Sequence, residues 1–226
     1  MLIVLEGLDG AGKSTQVHKL KEYLEERVHD LRYIHFPRYD APVYGGLIGK
    51  FLRGGFGPLE AVHPQLVALL FAGDRHDAAV QIRGTLDQGG TVLLDRYVYS
   101  NIAYQCAKLS DDNEAEELRK WILDTEYGSF GIPKPDLNIF LDVPIGFVEE
   151  SLNANRQGDD REYLQGGKDI HEADMEFQKR VRSMYLKQAA CDGKFAVVDC
   201  SGEKGEMLPA DIIFGKIRKI VDERLK

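Results

Sequence analysis

Eight consecutive residues near the start of the chain have the types and spacing that bind a polyphosphate. They fit the pattern G-x-x-x-x-G-K-[ST] and are Gly7, Leu8, Asp9, Gly10, Ala11, Gly12, Lys13 and Ser14, with Thr15 following. Glycines let the backbone wrap around phosphates so that amide N–H groups point inward, while a lysine neutralises the oxygens and a serine hydroxyl ligates Mg²⁺. An apolar run precedes the motif and a helical pattern follows it, as this chemistry requires. The loop therefore predicts a site for ATP and Mg²⁺, and a glycine-rich turn without a ligand is the alternative.

Asp95 and Arg96 follow the apolar run 91–94, so we expect them at the carboxyl end of a buried strand. There a carboxylate can hold Mg²⁺ directly or through water, and a guanidinium presents a planar set of donors to a phosphate. An aspartate at such a position is often only a helix cap. Together with the glycine loop, the pair favours a metal site at Ser14 and Asp95, with Arg96 on a second anion.

Phe71 and Arg75 are four residues apart in the segment 64–88, which predicts that both lie on one face of a helix. A ring and a guanidinium placed in this way can stack on a nucleobase and hydrogen-bond to its edge. Asn101 and Tyr104 are three residues apart on the next predicted helix and could also contact a nucleotide. The amide of Asn101 can hydrogen-bond to a base edge, and the ring of Tyr104 can pack against a sugar. Aromatic residues at helical spacing more often belong to the core, so the residues alone leave both interpretations open.

A polar segment at about residues 155–168 contains three glycines and few apolar residues, and it lies between two helical patterns. These features predict a short mobile lid. A plain surface loop, whose arginines form solvated ion pairs with nearby aspartates, is the alternative.

The composition limits the classes of partner and the cellular compartment. The 226-residue chain has a formal net charge of −8, and no run of five or six like charges occurs, which argues against nucleic acid or an anionic membrane as a partner. Three cysteines without C-x-x-C spacing predict neither a disulfide framework nor a zinc site. No apolar run reaches membrane-spanning length and no signal-like segment opens the chain, so we predict a cytoplasmic location.

The elements that must position these residues follow from the order of the apolar runs. The runs are 2–5, 31–36, 91–94, 137–141 and 195–198, and amphipathic charged segments separate them. This alternation predicts a single α/β domain with a doubly wound, mostly parallel five-stranded sheet and helices on both faces. Apolar residues at helical spacing in the segment 209–226 predict a last helix that closes the core. Because ligands of such sheets bind at the carboxyl ends of the strands, we expect the residues that follow the first three strands to form one site.

Several motifs together resemble the thymidylate kinases, which are P-loop nucleoside monophosphate kinases, over nearly the whole chain. The most specific is Asp95-Arg96-Tyr97 followed by Ser100-Asn101 and Ala103-Tyr104. The others are the aspartate in the glycine loop, Phe36-Pro37-Arg38, the segment from Phe71 through Arg75, and Pro133-Lys134-Pro135-Asp136. The resemblance implies a P-loop kinase fold and the phosphorylation of thymidine 5′-monophosphate (dTMP) to the diphosphate by ATP, in dTTP biosynthesis. It also implies Mg²⁺ as a cofactor and a homodimer.

The resemblance implies roles for individual residues as well. Phe71 would stack on thymine, and Arg75 and Asn101 would hydrogen-bond to its edge. Arg38, Tyr39 and Arg96 would hold the monophosphate near Asp9, while Tyr104 would crowd the sugar 2′ position. The predicted substrate-binding set also includes Phe36, Asp169, His171 and Glu172. The predicted catalytic residues are Asp9, Lys13, Arg96, Arg156 and Arg161.

Two positions depart from the pattern of some relatives. Some members of the family carry a basic residue in the loop where this chain has Gly10, so the resemblance implies that Arg156 or Arg161 in the lid supplies that charge. The sequence does not choose between the two arginines. Many relatives have tyrosine where this chain has His171, and both a substrate contact and a solvent-facing histidine at a helix start remain open.

Two other functional classes share part of these motifs. A kinase for another nucleotide or for a deoxynucleoside would share most of them. A nucleotide-binding switch or motor ATPase would share the glycine loop, but the guanine-reading sequence N-K-x-D of GTPase switches does not occur in the chain.

Overall fold

Five strands form one parallel sheet in the computed structural model, which describes residues 1–154, 171 and 174–225. The strands are β1 (Leu2–Gly7), β2 (Leu31–His35), β3 (Thr91–Asp95), β4 (Leu137–Asp142) and β5 (Phe195–Asp199). Their order in the sheet is β2-β3-β1-β4-β5, and each pairing is parallel. The prediction of a mostly parallel five-stranded sheet is confirmed.

Eight α-helices lie between or after the strands in the described part of the chain. They are α1 (Lys13–Glu25), α2 (Tyr44–Leu52), α3 (Pro64–Asp87), α4 (Val98–Cys106), α5 (Asp112–Leu123), α6 (Ile145–Asn153), α7 (Met175–Cys191) and α8 (Ala210–Leu225). A 3₁₀-helix covers Leu59–Ala61, and a π-helix covers Asp124–Ser129 directly after α5. Among the described residues, we find no helix with both the length and the apolar character needed to cross a membrane.

Different helices cover the two faces of the sheet, as the alternation along β1 requires. Ile3 and Leu5 pack into one core with residues of α1, α7 and α8, whereas Leu2 and Val4 pack into a second core with residues of α3, α4 and α5. Successive residues of a strand point to opposite faces, so the complete burial of β1 needs helices on both sides. Helix α8 closes the first core, as the apolar spacing in its sequence predicts.

The carboxyl ends of β1, β2 and β3 lie side by side at one edge of the sheet. Asp95 at the end of β3 is level with Leu5 of β1 and with His35 of β2. The glycine loop leaves β1 at this edge, and Arg96 leaves β3 with φ of +66°. The peptide bond between Phe36 and Pro37, directly after β2, is cis. Three chain segments that are distant in sequence therefore meet at one place.

Candidate active site

The glycine loop meets strand β3 through an ion pair between Lys13 and Asp95. Lys13 Nζ contacts Asp95 Oδ1, and His35 Nδ1 lies 3.0 Å from Asp95 Oδ2. Burial alone would raise the pKa of Asp95, but the charge of Lys13 and the hydrogen bond from His35 outweigh it and lower the pKa. Asp95 is therefore ionised at neutral pH and places a carboxylate beside the loop.

Two glycines give the loop a shape that suits a phosphate. Gly10 and Gly12 have φ of +76° and +70°, in the left-handed region that favours glycine. A Cβ atom on Gly12 would meet no atom within 4 Å, so the space beside this residue is open. Gly12 precedes α1 without a side-chain cap, so the first amide groups of the helix are available to an anion. The exposed Ser14 and Thr15 lie in the same turn.

Asp9 connects the glycine loop to the residues that follow β3. Its Oδ1 accepts a hydrogen bond from Arg96 Nη2 at 2.7 Å, and its Oδ2 accepts one from the Tyr104 hydroxyl at 2.7 Å. Burial opposes a charge on Asp9, but the guanidinium of Arg96 and the hydroxyl of Tyr104 together lower its pKa. The anionic carboxylate therefore holds both the guanidinium and the phenol in place.

A buried carboxylate that the sequence analysis missed supports the turn carrying Arg96. Glu6 is 0% exposed and accepts hydrogen bonds from the backbone amides of Tyr97 and Ser100. The hydroxyls of Ser100 and Tyr185 also donate to it. Burial raises the pKa of Glu6, although these hydrogen bonds oppose that shift. A glutamate within an apolar strand was the signal that could have identified it.

A cavity of about 520 Å³, counting space open to solvent, lies beside Asp9 and contains most of the predicted substrate-binding residues. The predicted residues that line it are Asp9, Phe36, Tyr39, Phe71, Arg75, Arg96, Asn101, Tyr104 and His171. The lining residues that were not predicted are Pro37, Leu52, Tyr97, Ser100 and Gln105. The cavity combines aromatic faces with guanidinium and amide groups, and this is the chemistry that recognises a nucleotide.

Two residues of the cavity, Arg75 and Asn101, share a buried partner. Glu126 Oε1 accepts a hydrogen bond from Arg75 Nη2 at 2.7 Å and another from Asn101 Nδ2 at 3.0 Å. Glu126 is 0% exposed and lies in the π-helix Asp124–Ser129. The sequence analysis missed this residue, because its local sequence does not distinguish it from a surface glutamate.

Comparison with known proteins connects this geometry with a family. A family model for thymidylate kinase matches residues 5–210. The chain belongs to the thymidylate kinase family. It is a kinase that phosphorylates dTMP to the diphosphate, with ATP as the phosphoryl donor that the family implies.

Individual thymidylate kinases match most of the chain. The thymidylate kinase of Mycobacterium tuberculosis strain H37Rv is 34% identical over 209 residues, which cover 92% of this chain and 95% of the relative. A probable thymidylate kinase of Thermococcus kodakarensis is 37% identical over 194 residues, which cover 84% of each chain. A solved structure of thymidylate kinase from Candida albicans matches with a TM-score of 0.71 and 29% identity, covering 99% of this chain and 91% of that chain. The family resemblance and the fold predicted from the motifs are confirmed.

His171 is buried beside the cavity of this thymidylate kinase, so the interpretation as a solvent-facing histidine is wrong. Its exposed fraction is 5%, and its ring centroid lies 5.2 Å from that of Tyr104 and 5.6 Å from that of Phe177. Burial, together with the positive charge of Lys108, lowers the pKa of His171 well below its ordinary value. The imidazole is therefore neutral at neutral pH.

Arg38 contacts two aspartates and is not part of the cavity lining in this thymidylate kinase. Its Nε donates to Asp74 Oδ1 at 2.9 Å, and its Nη2 donates to Asp77 Oδ2 at 2.6 Å. Asp74 and Asp77 are three residues apart on α3 and thus share one helical face, a spacing that the sequence analysis did not use. The role of Arg38 at the acceptor phosphate stays a prediction.

Four predicted site residues, Arg156, Arg161, Asp169 and Glu172, lie outside the described residues, as does the predicted lid at about 155–168. Their roles stay predictions. Within residues 1–154, 171 and 174–225, no group of three or more His, Cys, Asp or Glu side chains could hold a metal ion. A Mg²⁺ ion on Ser14 and Asp95 would therefore take its other ligands from phosphates and water, which is usual for Mg²⁺ at nucleotide sites.

Proposed function

We propose that the phosphoryl group passes in line from ATP on the glycine loop to the 5′-phosphate of dTMP in the cavity. The observation that carries this proposal is the 2.7 Å ion pair between Asp9 and Arg96, because Asp9 belongs to the loop and Arg96 lines the cavity. The two phosphate-binding regions are therefore adjacent. Two anions bound there would lie end to end, as direct transfer between them requires.

The lining of the cavity supports specific roles for the acceptor nucleotide. Phe71 offers an aromatic face to the base, and Arg75 and Asn101 offer polar groups to its edge. Tyr104, whose hydroxyl is held by Asp9, packs beside the sugar and crowds the 2′ position. Arg96 binds the acceptor phosphate, so its positive charge opposes the repulsion between the two anionic substrates.

On the donor side, Lys13 and the loop amides bind the phosphates of ATP. Lys13 is paired with Asp95, so nucleotide binding gives its ammonium group a phosphate partner in addition to a carboxylate. The site fits Mg²⁺, because Ser14 has an exposed hydroxyl and the carboxyl of Asp95 is ionised, and both are oxygen ligands. When bound, Mg²⁺ neutralises negative charge on the phosphates. The positive charge that stabilises the transferred phosphoryl group is assigned to Arg156 or Arg161, as the family resemblance implies.

The reaction belongs to dTTP biosynthesis, because its product is one phosphoryl transfer away from dTTP. We place the enzyme in the cytoplasm, a reducing compartment, since Cys106, Cys191 and Cys200 are free thiols and two of them are buried.

We also propose that the chain forms a homodimer through an apolar stripe on α3. Leu66, Leu69 and Val80 on this helix are 63%, 42% and 71% exposed. Their spacing places them on one face of the helix. An apolar stripe in water favours association, and a twofold axis would bring the same stripe of a second copy against it.

A coupled ADP-release assay with several acceptors tests the proposed reaction. We expect ADP release to be faster with dTMP than with deoxycytidine monophosphate (dCMP). Thymidine should be inactive, because it lacks the phosphate that binds Arg96. Preference for another nucleotide or for thymidine would support a different kinase, and ATP hydrolysis without any acceptor would support a switch or motor ATPase.

Matched variants test the position of the base in the same assay. We expect Phe71→Leu to raise the KM for dTMP about three- to tenfold, because the aromatic contact with the base is lost. Phe56 is 41% exposed and is not part of the cavity lining, so Phe56→Leu serves as the control and should leave the KM unchanged. Equal effects of the two changes would contradict the assignment of Phe71.

A further inference from the structure

Asn101 has a fixed amide orientation before any nucleotide binds. Its Nδ2 donates to the carbonyl oxygen of Ala68 at 3.0 Å and to Glu126 Oε1 at 3.0 Å. A carbonyl oxygen and a carboxylate can only accept, so a rotated amide would place its own oxygen against two acceptors. The two acceptors therefore fix the orientation of the amide, and both side-chain N–H groups of Asn101 are hydrogen-bonded.

The oxygen of the same amide is left as an acceptor without a protein donor. Asn101 is 3% exposed and lines the cavity. Its Oδ1 is buried and has no hydrogen-bond partner among the described residues. A buried acceptor without a partner costs free energy, so a ligand that donates a hydrogen bond to it gains more than one that does not.

Glu126 holds Arg75 with the same carboxylate. Arg75 Nη2 donates to Oε1 at 2.7 Å and Arg75 Nε donates to Oε2 at 2.5 Å, while Nη1 makes no hydrogen bond within the described part of the chain. A bidentate contact fixes the plane of the guanidinium as well as its position. Towards a ligand in the cavity, Arg75 can thus only donate, and the free oxygen of the Asn101 amide can only accept.

The backbone around Glu126 adopts an unusual helical form. Glu126 lies in the six-residue π-helix Asp124–Ser129, and its carbonyl oxygen accepts from the amide of Ile132 at 3.1 Å. π-helices are rare and occur frequently at functional sites. Glu126 is 0% exposed and is absent from the cavity lining, so it acts on a ligand only through Arg75 and Asn101.

We propose that Glu126 is a positioning residue that sets the base selectivity of the acceptor site. By orienting Asn101 and Arg75, it presents an acceptor to N3 of a pyrimidine and a donor to the group at C4. Thymine matches this arrangement with N3–H and O4, whereas cytosine presents an acceptor at N3 and an amino group at C4. The inference rests on the proposed binding of dTMP in this cavity.

Glu126→Gln is the change that tests this role. A glutamine side chain has one acceptor oxygen where the carboxylate has two, so it cannot keep all three hydrogen bonds from Arg75 and Asn101. The orientations of these two side chains are then less firmly fixed. We expect the ratio of kcat/KM for dTMP to kcat/KM for dCMP to fall about tenfold or more. The KM for dTMP should rise, whereas the KM for ATP should stay unchanged.

Two controls separate positioning from a general structural effect. Glu117 is exposed on α5, so Glu117→Gln makes the same chemical change without a contact and should keep the wild-type ratio. Glu126→Asp keeps the charge beside Arg75 but is one methylene shorter, and we expect it to lose part of the selectivity. Loss of folded protein alone would reduce both kcat/KM values equally and leave their ratio unchanged.

Failure of the inference about Glu126 can be distinguished from failure of the proposed function. If the wild-type enzyme does not prefer dTMP, the proposed function itself is wrong. If it does, and folded Glu126→Gln or Glu126→Asp keeps the wild-type ratio, the inference about Glu126 is overturned.

A measurement on the unmodified protein does not depend on any variant folding. In ¹⁵N NMR spectra of the ligand-free enzyme, both side-chain amide protons of Asn101 should be protected from exchange with solvent, because both are hydrogen-bonded. Exchange as fast as that of an exposed asparagine would overturn the inference.

Discussion

Arg96 Nη2 lies 2.7 Å from Asp9 Oδ1, so one ion pair joins the glycine loop to the cavity. Arg96 has φ of +66°, a conformation that costs a residue with a Cβ atom about 1 kcal/mol. Its backbone amide donates to Leu5 O at 2.9 Å, and Glu6 accepts from the amide of the next residue. The strained backbone is held by these bonds, and it directs the guanidinium into the site.

Replacement of Arg96 separates its side-chain role from its backbone strain. We expect both Arg96→Ala and Arg96→Gly to lower kcat with dTMP about a hundredfold or more, because a charge aligned with the phosphates is lost. Arg96→Gly should be more stable than Arg96→Ala by about 1 kcal/mol, since glycine adopts positive φ without a penalty. Urea unfolding measures the difference, and equal stabilities would show that the turn is unstrained.

The contact of Asp95 with Lys13 makes stability depend on pH in the acid range. The pKa of Asp95 is lowered in the folded state, so its charge stabilises the fold above the unfolded pKa of about 3.9. That contribution is lost as the pH falls through the folded pKa. We therefore expect Asp95→Asn to cost about 3 kcal/mol at pH 7, because it leaves Lys13 buried without its carboxylate.

The difference in unfolding free energy between wild type and Asp95→Asn should shrink by about 1 kcal/mol between pH 7 and pH 3. Asp87 is exposed, so Asp87→Asn serves as the control and should show no such trend. Urea unfolding at several pH values tests this expectation. A constant difference across that range would mean that the pKa of Asp95 is not lowered by folding.

Two changes at Tyr104 distinguish its hydroxyl from its ring. Tyr104→Phe removes the 2.7 Å hydrogen bond to Asp9 but keeps the ring, so we expect about a tenfold loss of kcat with selectivity for deoxyribose retained. Tyr104→Ala removes the ring as well, and we expect it to accept ribothymidine monophosphate more readily. Steady-state kinetics with both nucleotides measure the ratio. Full discrimination in Tyr104→Ala would refute the crowding of the 2′ position.

A charge on the exposed face of α3 should disrupt the proposed dimer. Val80 is 71% exposed, and Val80→Glu would place a carboxylate against the second copy of the stripe. We expect sedimentation of this variant as a monomer, whereas Ile212→Glu, which changes a 53% exposed residue of α8, should sediment like the wild type. A monomeric wild type at micromolar concentration would contradict the proposal.

The sequence by itself determined the fold class and the core of the phosphate-binding site. The glycine loop, the five apolar runs and the spacing of Phe71 and Arg75 are short-range patterns, in which the chemistry of each residue depends on neighbours a few positions away. Such patterns can therefore be recognised without knowledge of the fold. They predicted the parallel sheet, and together with the family resemblance they selected nine of the residues that the structure brings together around the cavity.

Only the tertiary structure decided which partner each buried charged group contacts. Arg75 and Glu126 are 51 residues apart in the chain, and Tyr185 and Glu6 are 179 residues apart. No local pattern encodes such a contact, because the partner of a buried charge is set by how distant segments pack. For the same reason the sequence left His171 open between a substrate contact and a solvent-facing position, and it did not predict that Arg38 would bind Asp74 and Asp77.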